Sequence, residues 1–201
     1  ESGERTILWR RDPLLEYDPE ALDPAIIESA RILHLDGHDV PASIRAAEIA
    51  KSAGIPVAID IDNIYPGVDK LLPMIDFLIS SSTFPERMTG ESELKSALRT
   101  LKNRYGSLMV GATLGADGVL VYFDNEYIHS PAFSIDCRDT TGAGDAFHAG
   151  FLYGVLIGMT VEETLRFANA TAGLKCEDLG ARTALPSLTR VTEFIRLRAA
   201  G

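Results

Sequence analysis

Cysteine is scarce in this chain, tryptophan scarcer still, and long apolar runs are missing. The 201 residues contain two cysteines, Cys137 and Cys176, and one tryptophan. Neither cysteine sits in a CxxC pair, so neither a zinc site nor a disulfide framework is indicated. Both read as small buried hydrophobes, and we expect a reducing, cytoplasmic setting. No apolar stretch approaches the roughly 18 residues that would cross a bilayer. An excess of positive charge is missing too: Lys and Arg number 19 against 29 Asp and Glu, a formal net charge of −10. That balance argues against general nucleic-acid or anionic-membrane binding, while leaving open a nucleotide substrate held by local backbone dipoles. The four histidines show no metal-ligand spacing. The opening Glu-Ser-Gly-Glu-Arg has neither signal-peptide character nor an initiator Met, and we expect the chain to be part of a longer protein.

What is present is the composition of a folded domain, 46% hydrophobic and 24% charged. Strands are predicted over residues 5–10, 31–35, 56–61, 76–80 and 108–114. Helices are predicted over 25–30, behind an Asp23-Pro24 cap, over 43–53, begun by Ser43 and stopped by Gly54, and over 92–103. This alternation argues for a parallel α/β sheet. Three short strands are then expected over 119–123, 126–129 and 132–136, with hairpins between them. Helices follow over 145–157 and 161–176, the second behind a Thr160/Glu163 capping box, and a last helix opens at Pro186-Ser187. Without repeats or linkers, the chain is taken as one domain over 1–201.

The most informative stretch is Asp139-Thr140-Thr141-Gly142-Ala143-Gly144-Asp145. A small-residue turn running into a helix leaves first-turn N–H groups free at the positive end of the helix dipole, a site for a phosphate or another oxyanion. Asp145 beside such a site is costly unless it has a task, and taking a proton from an attacking hydroxyl is one. Read alone, the motif is equally a glycine-rich loop whose Asp caps a helix. A dinucleotide-binding GxGxxG fits poorly, since Phe147 stands at the third glycine. A Walker A loop is excluded by the absence of a following Gly-Lys-Ser/Thr. The second motif, Thr113-Leu114-Gly115-Ala116-Asp117-Gly118, follows a predicted buried strand. Its glycines allow either close approach of backbone to a ligand or a tight turn into the next strand.

Together these motifs carry a resemblance. DTTGAGDAFHAGF (139–151) is similar to the C-terminal signature of the ribokinase-type, or PfkB, carbohydrate kinases. TLGADGVLVY (113–122) resembles that family's nucleotide loop. FANATAGLKCEDLGAR (167–182) resembles its segment over the adenine and monovalent-cation site, and GERTILWRRD (3–12) the strand returning from its lid. The resemblance implies a three-layer α/β/α sandwich with a mostly parallel sheet. It also implies that the chain is the C-terminal two-thirds of the fold, with the N-terminal part and most of the lid absent.

By the same resemblance, Asp145 is the general base and the N–H groups around Gly142, Ala143 and Gly144 form the anion hole. Thr113, Gly115 and Gly118 line the nucleotide site, with Asn169 near the adenine. Asp139, Thr141 and carbonyls near Gly180 hold a monovalent cation such as K⁺, and Mg²⁺ accompanies ATP. The partner is a small sugar, with a homodimer open in the intact protein. One departure stands out: where the family often has Asn-x-x-Glu for organising Mg²⁺, this chain has Ser81 and Phe84. Two functions are carried forward: an ATP-dependent sugar kinase, and a nucleotide- or sugar-binding regulator on the same fold. His148, one helical turn beyond Asp145, reads as a packing or supporting residue. Asp60, Asp62 and Asn63 read as an ordinary polar strand end.

Overall fold

The computed structural model describes residues 12–199 together with Thr6, Leu8 and Arg10. Two compact units are distinguished, taken here in turn. The larger, Arg10–Thr113 with Leu120–Ile128, carries the sheet. Its strands are β1 (Leu33–Leu35), β2 (Val57–Ile61), β3 (Phe77–Ser81), β4 (Met109–Thr113), β5 (Val119–Phe123) and β6 (Glu126–Ser130), ordered spatially as in sequence. The first four run parallel, in a register that sets Ile59 against Leu78 and Ser81 against Thr113. Val57, Ile59, Leu78 and Val110 are fully buried, as expected of strands covered on both faces. The link between β5 and β6 is Asp124-Asn125, both at positive φ (47° and 63°). This two-residue turn matches the twist of an antiparallel hairpin and suits Asp and Asn.

The helices of this unit are α1 (Pro24–Glu28), α2 (Val40–Ser52), α3 (Val68–Leu71), α4 (Phe84–Thr89) and α5 (Leu94–Tyr105). The Asp23 side chain caps α1 by accepting from Ala25 N–H, as predicted. The expected cap at Ser43 is corrected: α2 begins at Val40 behind Asp39, and Ser43 is a buried residue inside it. Pro41, with its fixed φ, is preorganised for the first turn and lets the helix start earlier. The Glu93 carboxylate caps α5 by accepting from Lys95 and Ser96 N–H groups, so Ser92 lies outside the helix. The short α3 and α4 carried no periodicity long enough to be read. The strand expected over 5–10 lies largely outside the described residues, and Thr6, Leu8 and Arg10 show no strand.

The second unit includes Leu114–Val119 and His129–Gly201, with helices α6 (Ala143–Ile157), α7 (Val161–Lys175) and α8 (Leu188–Ala199). The Thr160/Glu163 capping box forms at the start of α7, as predicted. The expected strand over 132–136 does not form. Its alternating apolar residues, Phe133 and Ile135, instead pack onto a helical cluster of Phe167, Ala170, Leu174, Val191 and Phe194. Period-two patterning records which side of an extended segment is buried, not what it is buried against. The seam between α6 and α7 is unusually close. A Cβ on Gly154 would lie 2.8 Å from Thr164 Oγ1, and one on Gly150 2.9 Å from the Cα of Ala168. Among the described residues, no helix is long and apolar enough to cross a membrane.

This seam sets the position of the start of α6. Gly154→Val is expected to force α6 and α7 apart and destabilise the protein by roughly 1–3 kcal/mol, read as a lower urea midpoint. An unchanged midpoint would show that the seam yields without cost.

Candidate active site

The start of α6 is built by a turn that only glycine makes easily. Gly142, the N-cap, has φ 77° and supplies no side-chain cap. A Cβ there would stand 3.0 Å from Ala181 O and 3.2 Å from Ala181 Cα. Both the left-handed backbone and the close approach of the 180–182 loop therefore require a residue without a side chain. Ala143 N–H donates to Thr140 O at 3.1 Å, and the helical ladder begins with Ala146 N–H to Gly142 O at 3.0 Å. Among the described residues, the N–H groups of Gly142, Gly144 and Asp145 find no backbone acceptor, the situation of a helix N-terminus open to an anion. Of the expected anion-hole amides, Ala143's is thus engaged within the loop, and Asp145's own amide joins Gly142's and Gly144's. The residue reading had no signal for this exchange, because it depends on the curl of the turn back to Thr140. Asp145 occupies the third helical position and is exposed, as is Gly144.

Asp139 holds this loop to its neighbour. Its Oδ1 accepts from Thr141 N–H at 2.8 Å and its Oδ2 from Gly180 N–H at 2.7 Å, 41 residues away. The Thr141 hydroxyl, then the Thr141 and Gly180 amides, hold its carboxyl down to about 2. From behind, Lys175 Nζ donates to the Asp139 carbonyl at 2.7 Å. The N–H groups of Arg138 and Asp139 donate to Cys176 O at 2.8 and 3.2 Å. The structure therefore brings together the three expected cation residues, Asp139, Thr141 and Gly180, and joins them by hydrogen bonds of their own. The contact of Lys175 with the Asp139 carbonyl is one that sequence reasoning missed. Its one available signal was a lysine at the end of a helix rich in small and apolar residues. Beside the clamp opens a cleft of about 490 Å³ lined by Asp136, Cys137, Arg138, Asp178 and Leu179.

The second motif meets Asn169 on one segment. Gly115–Asp117 forms a 3₁₀ turn closed by Leu114 N–H to Gly118 O at 2.7 Å. A Cβ on Gly118 would fall 2.1 Å from Ser130 O and 2.6 Å from Ala132 N, so this glycine is needed for backbone to lie on backbone. At Gly115 (φ 60°) a Cβ would meet nothing within 4 Å. Asn169 is buried, and its Nδ2 donates to Ser130 O at 2.9 Å and Pro131 O at 3.2 Å. Gly118 and Asn169 thus fix the 130–132 segment from two directions. In the sheet unit, Thr113 Oγ1 donates to Ser80 O at 3.3 Å.

At the positions read against Asn-x-x-Glu, the structure places few polar groups. Ser81 ends β3, while Phe84 opens α4 fully buried and offers no polar atom. Glu86 is exposed in the first turn of α4. At the 60–63 strand end, Arg87 donates to Asp62 O at 3.2 Å and Asn63 Oδ1 at 3.1 Å, so the chain itself supplies a cation there. His148 is buried with its ring edge-on to Phe147 at 5.6 Å, a packed environment. Cys176 is buried, Cys137 is half-buried, and neither is in a disulfide.

An open helix start with an acid in its first turn offers free amides to an oxyanion and a proton acceptor beside them. The chain belongs to the PfkB family of carbohydrate kinases, whose model matches residues 1–188. It is similar to a ribokinase of Haemophilus influenzae, 31% identical over 156 residues, which make up 75% of this chain and 50% of that protein. It is also similar to an ATP-dependent ribose-1-phosphate kinase of Halopiger xanaduensis, 30% identical over 203 residues, or 98% of this chain and 66% of that one. The solved structure of Arabidopsis thaliana ribokinase complexed with ribose and ATP superposes with a TM-score of 0.80 and 30% identity, covering 86% of this chain and 58% of that chain. The fold is thus ribokinase-like, as expected. The chain spans between about half and two thirds of the length of these relatives.

The Asp139 clamp sets a pH dependence. A carboxyl whose folded value lies near 2, below its ordinary 3.8, favours the folded state through its ionised form. That contribution is complete above its ordinary value and is lost as the pH falls through the folded one. In urea unfolding from about pH 6 down to about pH 2, the stability advantage of the wild type over Asp139→Asn is expected to shrink below about pH 4. A gap that stays constant across that range would contradict the clamp.

Proposed function

We propose that this chain is the nucleotide-binding and catalytic portion of an ATP-dependent sugar kinase. The observation that carries this reading is the acid Asp145 in the first turn of α6, where three amides find no backbone acceptor among the described residues. Asp145 takes the proton of the sugar hydroxyl as its oxygen attacks the γ-phosphorus in line. The loop of Gly142, Ala143 and Gly144 stabilises charge on the transferring group through the N–H groups of Gly142, Gly144 and Asp145 and the helix dipole. Thr113, Gly115 and Gly118 line the nucleotide site. Asn169 shapes the wall near the adenine, a role supported by its hold on the 130–132 segment. ATP as donor is supported by the relatives named above, one an ATP-dependent kinase and one crystallised with ATP.

Mg²⁺ accompanies ATP in this reading. The positions where the family often presents a carboxylate hold a strand-end serine and a buried phenylalanine, so its ligands are mainly phosphate oxygens and water. An alkali cation at Asp139, Thr141 and Gly180 fits less well. Both carboxylate oxygens already accept amides, and the Asp139 carbonyl already accepts from an ammonium. No step is routed through either ion. The acceptor is a small carbohydrate. Ribokinase and ribose-1-phosphate kinase relatives stand at nearly equal identity, 31% and 30%, so similarity alone does not choose among sugars. We place the protein in the reducing cytoplasm, a reading supported by its free thiols, and a homodimer is compatible with it.

A second reading, a nucleotide- or sugar-binding regulator on the same fold, is favoured by one observation: the buried Phe84 where the family often has a Glu. ADP release coupled to NADH oxidation, measured on the intact protein across a sugar panel, separates the two. Under the kinase reading, Asp145→Asn lowers kcat by roughly 10²–10⁴-fold with little change in ATP affinity. Unchanged turnover in that variant would remove Asp145 as the base. Ligand binding without ADP release would establish the regulator.

A further inference from the structure

Lys175 is the only Lys, Arg, Asp or Glu in the fully buried class among the described residues, at 0% exposure. An ammonium removed from water is costly unless other groups replace its hydration. Here the replacement is specific. Nζ lies 2.7 Å from the carbonyl of Asp139, the residue whose carboxylate bonds Thr141 and Gly180. Three residues on from Asp139 begins the turn at Gly142, where a Cβ would be only 3.0 Å from Ala181 O. A single buried positive charge thus sits behind the loop that presents the open amides of α6. The Lys175 ammonium adds positive charge behind the Asp139 carboxylate, and it is tethered there by the covalent chain rather than drawn from solution. The position expected to hold a bound monovalent cation has one fixed to the main chain by its own side chain.

We propose that Lys175 is a positioning residue that acts as the resident monovalent cation of the 139–145 and 180–182 loops, so that these loops are ordered without an alkali-metal ion. The idea deepens the kinase reading but rests on it only for its kinetic consequence, which is turnover insensitive to replacement of K⁺. The ordering itself is readable without turnover.

The test uses the full chain in KCl, NaCl and tetramethylammonium chloride at equal ionic strength. Thermal unfolding and amide hydrogen exchange over 140–146 are followed for the wild type, Lys175→Met and Lys175→Arg. The wild-type midpoint is expected to agree within about 1 °C in all three salts, because no ion binds selectively to the folded state. Lys175→Met is expected to melt roughly 10 °C lower, to lose protection over 140–146, and to recover part of both in potassium but not in tetramethylammonium. Lys175→Arg keeps the charge and is expected to retain protection and remain indifferent to the salt. A saturable, potassium-specific rise in the wild-type midpoint would overturn the proposal, as would wild-type loop protection in Lys175→Met. If Lys175→Met does not fold, the salt response of the wild type and of Lys175→Arg decides. Absence of ADP release under every condition would overturn the kinase reading instead, and would leave the salt comparison intact.

Discussion

One carboxylate holds the functional part of this molecule in shape. Asp139 accepts one hydrogen bond from two residues ahead and one from 41 residues ahead, and its backbone carbonyl takes an ammonium from behind. Ionised acceptors make stronger hydrogen bonds than neutral ones. The Gly180 and Lys175 bonds tie the 139–141 turn to the end of α7 and the loop after it, which the Arg138 and Asp139 amides also reach through Cys176 O. Without them the glycine turn at 142 would be a flexible link, and the amides beyond it would have no defined direction. With them, the open amides of the first turn of α6 are held in one direction, as the proposed anion site requires.

The second constraint is steric and comes from absent side chains. Gly142 lets the 180–182 loop approach, Gly118 lets the 130–132 segment lie on the nucleotide-loop motif, and Gly150 and Gly154 let α7 press against α6. Close packing then places two buried polar side chains of α7, Asn169 and Lys175, where their polar atoms reach backbone carbonyls. The charges follow the same economy of position. The acid that takes part in the proposed chemistry, Asp145, is exposed and reachable, whereas the lysine that supports the loop is sealed from water.

The family relationship sits comfortably with this division of labour. Asp145 and the glycine turn are what a phosphoryl-transfer centre needs whatever its acceptor. The residues that distinguish one sugar from another are pocket side chains. Relatives named for different acceptors share about the same identity with this chain, in line with a common transfer centre and variable pockets.

Much of this was legible from residues alone, and the reasons are local. The parallel strands could be read because they are continuous apolar runs. Asp23, Thr160 and Gly142 mark helix starts through chemistry confined to one turn. The motifs at 113–118 and 139–145 exposed the candidate site because glycine and a neighbouring acid are informative wherever they stand. Where the reading failed, the deciding partner was distant in sequence. Residues 132–136 alternate like a strand but bury Phe133 and Ile135 against α7 and α8. Ser43 looked like a cap and is a core residue. Ala143 N–H turned back to Thr140. Above all, Lys175 lies 36 residues from the carbonyl it serves. The sequence by itself determined which chemistry was available, because residue type and local backbone preference travel with the chain. Only the tertiary structure decided which groups remain open to a ligand and which are consumed by the protein, because that depends on contacts made after the chain has folded.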